Sequence, residues 1–390
     1  MTASERVYLD WNATAPLHPE AAQALARALD VPGNPSSVHA EGRAARALVE
    51  DAREAVAALV GASAGDVVFT SGGTEAAALV LSPGFRRAGE PAGAARLLVG
   101  ATEHPCVLEG HRFPLEAVER IPVDGRGIVD LAWLARRLSD LAPARALVSI
   151  HLANNETGVI QPVAEAAALA RAHGGLVHTD AVQAAGRVAV DLAALGVDAL
   201  TLSAHKIGGP KGVGALVLAG EGTLLDGLVR GGGQERGRRA GTENTPGIAG
   251  FGAAARAARR DLLGGAERLR SLRDAFEAAI RRVAPDTVIL GEGAPRLPNT
   301  VLFAKPGLRA ETALIAFDLA GVALSSGSAC SSGKVRRSHV LEAMGVAPDL
   351  AEGALRLSVG RETRPESVEI FVAAFENALA ALHKGKARAA

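Results

Sequence analysis

Ser203-Ala204-His205-Lys206-Ile207-Gly208-Gly209-Pro210-Lys211-Gly212 is the stretch on which the reading of this chain turns. Ahead of it, Asp198-Ala199-Leu200-Thr201-Leu202 is short and apolar enough for a buried strand. Behind it, four glycines between Gly208 and Gly214 leave little side-chain bulk. A lysine placed where a strand opens into a small-residue loop can reach a ligand held above the sheet edge. Its amine becomes a nucleophile towards carbonyl compounds when the site lowers its pKa. A single loop lysine is ordinarily solvated, so the weight of Lys206 depends on what surrounds it.

Working outward, Asp66-Val67-Val68-Phe69-Thr70 reads as a strand running straight into Ser71-Gly72-Gly73-Thr74-Glu75 and an Ala-rich helix. Strand, glycine turn and helix start together aim free N–H groups and the positive helix end at one point, an anion site. Further strands are read at Arg96–Gly100, Ala146–His151, Leu176–Thr179, Leu200–Ser203 and Gly214–Leu218. Helical patterns such as Leu131–Leu138 and Val163–His173 separate several of them. That alternation predicts an α/β fold with a largely parallel sheet, which binds ligands at the carboxyl ends of its strands. Thr74, Asp180 and Lys206 each lie just past such an end and could share one pocket. From Gly252 the texture changes to a long Arg-rich helix broken at Gly264-Gly265, then short strands between helices. The division expected is a large domain of residues 14–251 and a smaller α+β domain of residues 1–13 and 252–390. Lys384 to Ala390 reads as a frayed tail.

Composition narrows the function classes. Lys plus Arg number 42, as do Asp plus Glu, so no net field favours nucleic acid or an anionic membrane. The two cysteines, Cys106 and Cys330, form neither a disulfide framework nor a metal-ligand spacing. No metal site is expected. The first residues lack the order of a signal peptide, and no apolar run approaches the roughly 20 residues of a membrane span. The expectation is a cytoplasmic protein in a reducing compartment.

Several side chains could carry chemistry. Leu176-Val177-His178-Thr179-Asp180-Ala181-Val182-Gln183 is a strand ending in a carboxylate, which can cap the next helix or pair with a ring nitrogen of a bound cofactor. His104, after another strand, can stack on a flat ligand or move protons. Asn154-Asn155-Glu156-Thr157-Gly158 is by itself a turn. Gly231 to Asn244 mixes glycines with arginines, suiting a flexible loop, a phosphate or a subunit interface. Ser325-Ser326-Gly327-Ser328-Ala329-Cys330-Ser331-Ser332-Gly333 holds nothing larger than cysteine. With no apolar flank to bury it, Cys330 reads as a reactive thiol. In Ala354-Leu355-Arg356-Leu357-Ser358-Val359, alternation sends Arg356 to the face opposite the leucines. There it either meets water or grips a carboxylate.

Taken together these blocks resemble the cysteine desulfurases of the NifS/IscS type, similar in fold to the class V aminotransferases. The resemblance rests on the Leu9-Asp10-x-Asn12-Ala13-Thr14 opening, Asn34-Pro-Ser-Ser-Val-His39, Thr70-Ser-Gly-Gly-Thr-Glu75 and Glu103-His-Pro105. It continues through Asn154-Asn-Glu156, His178-x-Asp-Ala-Val-Gln183, Ser203-Ala-His-Lys206, Gly231–Asn244, Ser326-Gly-Ser-Ala-Cys330 and Arg356-x-Ser358.

It implies a fold type I transferase carrying pyridoxal 5'-phosphate. Lys206 would hold the cofactor and shuttle the substrate's Cα proton. His104 would stack on the ring, Asp180 would pair with its nitrogen and Gln183 would bond its phenolic oxygen. Thr74, Ser203 and His205 would grip the phosphate, with Thr242 arriving from the partner subunit of a homodimer. Asn34, Asn155 and Arg356 would bind the carboxylate of L-cysteine. Cys330 would take the sulfur as a persulfide, for a sulfur acceptor or iron–sulfur scaffold protein. Trp11, Ala76-Ala77-Ala78 and Cys106 depart from the family's pattern. Two other functions stay open at this point. One is a related enzyme on the same cofactor: a selenocysteine lyase, a cystine lyase or an aminotransferase. The other is a silent sulfur-delivery subunit.

Overall fold

The computed structural model describes residues 6–90, 92–220, 222–327 and 337–389. Among them, seven strands form the central sheet, in the order 67–70, 214–218, 199–203, 176–180, 146–149, 96–100 and 118–121. Gly214–Leu218 is antiparallel to both neighbours, and the other pairings are parallel. The link from Ser203 to Gly214 explains that reversal, being shorter than the dozen or so residues a parallel crossover needs.

The strands 67–70, 146–149, 176–180, 199–203 and 214–218 are buried along their whole length, and 96–100 all but its first residue, as apolar runs in a sheet covered on both faces must be. Alternate residues serve two cores. Leu98, Val148, Val177 and Val217 pack on one side with Val56 and Phe251, while Leu97, Leu147, Leu176 and Leu216 pack on the other with Leu79 and Val80. The strand Val118–Ile121 was not foreseen. It carries Glu119 and Arg120 in its middle, charges that suit a sheet edge and hide its strand character, and Glu119 pairs with Arg137 at 2.7 Å.

A second, four-stranded antiparallel sheet orders 288–290, 300–304, 354–358 and 325–326. Its core is aromatic: Phe276, Phe303, Phe317, Phe371 and Phe375 are all fully buried. Val7 and Leu9 belong to this core, and Val7–Tyr8 pairs with Val322–Ala323 in parallel. The helix Thr245–Val283 joins the two cores, with Phe251 in the first and Phe276 in the second. Its backbone leaves helical geometry at Leu263 and Gly264. The frayed tail expected from Lys384 is instead helical, since Ser367–Ala389 is one helix. Alanine, lysine and arginine are strong helix formers, and they outweigh the single Gly385.

Phe371 contacts four other rings, with centroids between 5.4 and 6.2 Å. Phe371→Ala should therefore cost about 3–5 kcal/mol of stability, read as a lowered denaturation midpoint.

Candidate active site

Lys206 ends a single 3-10 turn, Ala204–Lys206, that leaves the Ala199–Ser203 strand. Hydrogen bonds from Ala204 N to Val213 O (3.1 Å) and from Gly209 N to Ala204 O (2.8 Å) fold the loop back on itself. Gly214 has to be glycine, because a Cβ there would stand 2.6 Å from Gly72 Cα. That approach sets the lysine loop against the start of the Gly73–Val80 helix. The Lys206 Nζ donates to Asn12 O (2.6 Å) and Ala13 O (2.8 Å). Burial lowers its pKa to about 7, helped by the guanidinium charges of Arg356 and Arg187. The amine is thus substantially unprotonated at neutral pH, the form that attacks carbonyl carbon.

Asp180 is buried at the end of its strand. Burial raises its pKa to about 6, against a hydrogen bond from Val182 N to Oδ1 at 2.8 Å. Gln183 is held at both ends of its amide: Oε1 accepts from Arg187 Nη1 (2.6 Å), and Nε2 donates to Asn12 O (3.0 Å). The His104 ring is open to the cavity but crowded by protein, which takes its pKa down to about 4. Burial does the same to His205, whose Nδ1 lies 3.1 Å from Thr14 Oγ1. Both rings are therefore neutral at neutral pH.

Arg356 comes from the second sheet. Leu355 and Leu357 enter the aromatic core, so strand alternation turns Arg356 the other way, into the protein rather than into water. It is buried, with Nη2 2.7 Å from Asp10 Oδ1 and Nη1 3.1 Å from Asn155 O. Among the described residues, its Nε has no hydrogen-bond partner.

These groups converge on one cavity of about 380 Å³, lined among others by Thr74, His104, Asn155, Asp180, Gln183, Ser203, His205, Lys206 and Arg356. Asn34 and Thr242 lie outside it and are exposed; the Asn34 side chain accepts from Ser36 N (2.8 Å). Cys330 falls outside the described residues. Thr242 sits on a loop pinned from within. The Glu235 carboxylate accepts from Arg53 Nη1 and Nη2 (2.7 and 2.8 Å) and from Phe69 N (2.9 Å).

The departures find packing explanations. Trp11 is buried beside Gly360, where a Cβ would stand 1.9 Å from the indole, and Arg361 lies over its ring at 5.6 Å. Ala76 and Ala77 are fully buried in the core. Cys106 borders the cavity, but burial pushes its thiol well above the usual range, which leaves it a poor nucleophile.

Sequence reading missed Asn12 as a site residue, although it quoted the motif that contains it. Asn12 is buried, its carbonyl takes bonds from Lys206 and Gln183, and its amide reaches Asn155 O (3.1 Å) and Thr300 Oγ1 (2.9 Å). Asp10 and Arg187 were missed as well. Asp10 is revealed by the distant Arg356, and Arg187 by the distant Trp11 together with the nearby Gln183.

The residues present fit pyridoxal 5'-phosphate. At one end, the Gly73–Val80 helix starts from Gly72 with no side-chain cap and with open space where a Gly72 Cβ would stand. Thr74, Ser203 and His205 stand nearby as polar neighbours for an anion. The same cavity holds a buried carboxylate, Asp180, and the Lys206 amine. The volume is that of a small-molecule site.

Comparison with known proteins agrees. The model of the class-V aminotransferase family matches residues 7–371. The chain is similar to the cysteine desulfurase of Cereibacter sphaeroides, 46% identical over 94% of this chain and 93% of that protein. It is also similar to cysteine desulfurase IscS of Dictyoglomus turgidum, 41% identical over 93% and 91%. Among solved structures, a NifS-like protein of Rickettsia africae superposes with a TM-score of 0.85 at 32% identity, over 96% of this chain and 99% of that one. The chain belongs to the class-V aminotransferase family, with the α/β fold of the type I pyridoxal-phosphate transferases. Within that family it is a pyridoxal-phosphate-dependent cysteine desulfurase.

The Lys206 environment has a measurable consequence. Uptake of pyridoxal phosphate by the cofactor-free protein should accelerate as pH rises through about 7, because deprotonation creates the reactive amine. A midpoint near the ordinary lysine value of ~10.4, followed by stopped-flow absorbance, would contradict that environment.

Proposed function

We propose that this chain removes sulfur from L-cysteine, leaving L-alanine, and passes it as a persulfide on Cys330 to an acceptor protein. The observation that supports this reading best is the Lys206 amine, buried with a pKa near 7 in the same cavity as Asp180. Pyridoxal phosphate, when bound, supplies an electron-withdrawing ring that accepts the electrons freed at the substrate's Cα.

The chain's own groups do the rest. Asp180 would pair with the ring nitrogen and favour its protonated form. His104, neutral, would stack on the ring, and Gln183 would bond the phenolic oxygen. Thr74, Ser203 and His205 would bind the phosphate, joined by Thr242 from a second copy of the chain in a homodimer. Lys206, with its amine free, takes the proton from Cα and returns it to make alanine. Arg356, assisted by Asn155, holds the substrate carboxylate, while Asn34, outside the cavity, takes no part in this arrangement. Asp10 occupies its Nη2 at 2.7 Å, so substrate either displaces Asp10 or uses the unpartnered Nε.

The site lies between the proposed large domain, residues 14–251, and the small domain of residues 1–13 and 252–390. Cys330, as thiolate, attacks the substrate sulfur. The Cα-side fragment departs with the C–S bonding electrons, and the new S–S bond stays on the enzyme. Iron–sulfur cluster assembly suits the relatives' names. A reducing cytoplasm suits two widely spaced cysteines, and among the described residues no helix is long and apolar enough to cross a membrane.

Incubation with L-cysteine tests the activity: alanine and a reductant-labile persulfide in equal amounts support it, whereas a keto acid product would point to transamination. Cys330→Ala should keep the cofactor and its spectral response to cysteine while losing the persulfide; sulfur release at the normal rate would remove Cys330 from its role. Arg356→Ala should weaken cysteine binding by about 2 kcal/mol or more, roughly 30-fold, with cofactor content unchanged, as read from KM and the absorbance spectrum.

A further inference from the structure

Glu156 is a buried acid that the site described above leaves unused. It is 3% exposed and does not line the cavity, although its neighbour Asn155 does. A tight turn fixes its backbone. Asn154 Oδ1 accepts from Glu156 N (2.8 Å) and Thr157 N (2.9 Å), and Asn154 Nδ2 donates to Thr102 O (3.0 Å). Burial raises the pKa of the Glu156 side chain. A carboxyl group taken out of water is costly unless it is hydrogen-bonded, so its contacts indicate what holds it there.

Those contacts are with two stretches far away in sequence. Ser338 Oγ donates to Glu156 Oε2 at 2.6 Å. The same hydroxyl accepts from Leu341 N (3.2 Å), capping the helix His339–Ala343, and Val340 and Leu341 anchor that helix in a buried cluster. Oε2 also lies against Gly327, where a Cβ would stand 2.7 Å from it. Gly327 directly follows the strand Ser325–Ser326, which pairs with Arg356 and Leu355, and Ser325 borders the cavity. One oxygen therefore touches both Gly327 and Ser338, between which Cys330 lies in the chain. Cys330 comes three residues after Gly327, and three residues span at most about 11 Å when fully extended. Where Gly327 stands thus limits where the thiol can be delivered.

We propose that Glu156 is a positioning residue for sulfur transfer: its carboxyl oxygen braces Gly327 against Ser338 and so fixes the tether from which Cys330 reaches the substrate sulfur. Among the described residues, its side chain bonds to Ser338 and to none of Lys206, Asp180 and Arg356. It therefore serves the step after the substrate's Cα proton has moved, and the bond-making stays with Cys330. The inference rests on the reading that Cys330 takes the sulfur.

Rapid mixing of the holoenzyme with L-cysteine separates the steps. The absorbance change reports the cofactor's response to substrate. Persulfide on Cys330, trapped by alkylation and read by peptide mass spectrometry, reports the transfer. Glu156→Ala should leave cofactor content and the absorbance change as they are while slowing persulfide formation by roughly 10- to 100-fold, as expected for a reacting group misplaced by about an ångström. Glu156→Gln, whose amide oxygen still accepts from Ser338, should recover most of that rate. Three results overturn the proposal: a normal persulfide rate in Glu156→Ala, an absorbance change slowed as much as the transfer, or Glu156→Gln as slow as Glu156→Ala. Should Glu156→Ala fail to fold, Ser338→Gly is read instead, since glycine is tolerated at a helix cap. It removes the hydroxyl and should slow the transfer alone; a normal transfer rate there overturns the brace. Cys330→Ala is the reference. If it still releases sulfur at the normal rate, the reading of Cys330 falls and the inference with it. If it blocks release while Glu156→Ala does not slow it, the inference alone falls.

Discussion

A primary amine buried between two backbone carbonyls is the contact on which the rest of the molecule depends. Carrying a full charge into that environment is costly, and the amine answers by giving up its proton more easily. Arg356 and Arg187 press in the same direction, while Asp10 and Asp180 oppose them. The carbonyls belong to Asn12 and Ala13, so the N-terminal segment has to cross from the aromatic core to the lysine loop. Its route is fixed by the pairing of Val7–Tyr8 with Val322–Ala323 and by the bond from Ala15 N to His205 O at 2.9 Å.

The same segment ties the two cores together. Asn12 N donates to Ser358 Oγ (2.9 Å), its Oδ1 accepts from Asn299 (3.1 Å), and its Nδ2 reaches Thr300 (2.9 Å). Arg187 contributes from the other side. It is a buried guanidinium whose partners are oxygens of Gln183 and Trp11. With no carboxylate among these partners, its charge is left to act on the cavity, and burial takes its pKa to about 10. A guanidinium with no carboxylate partner among the described residues thus acts on a cavity that holds a labile amine and a raised carboxylate. An anionic ligand with a protonatable ring nitrogen complements that set.

Much of this was legible in the chain. The inner strands announced themselves because a sheet covered on both faces needs unbroken apolar runs, and residues placed at their carboxyl ends did meet. What escaped notice depends on distant partners. Val118–Ile121 carries edge charges that mask its strand. Trp11 makes sense only once Gly360 is seen against its ring. Asn12 and Asp10 look like ordinary turn or strand residues until the threading of the chain brings Lys206 and Arg356 beside them. Local pattern records burial, whereas long-range hydrogen bonding leaves no periodicity to read.

Borohydride reduction of the holoenzyme followed by peptide mass spectrometry measures the central contact directly. The account predicts a pyridoxyl group fixed on the peptide containing Lys206 and on no other. A label carried by a different lysine, or full cofactor binding with Lys206 unmodified after reduction, would contradict it.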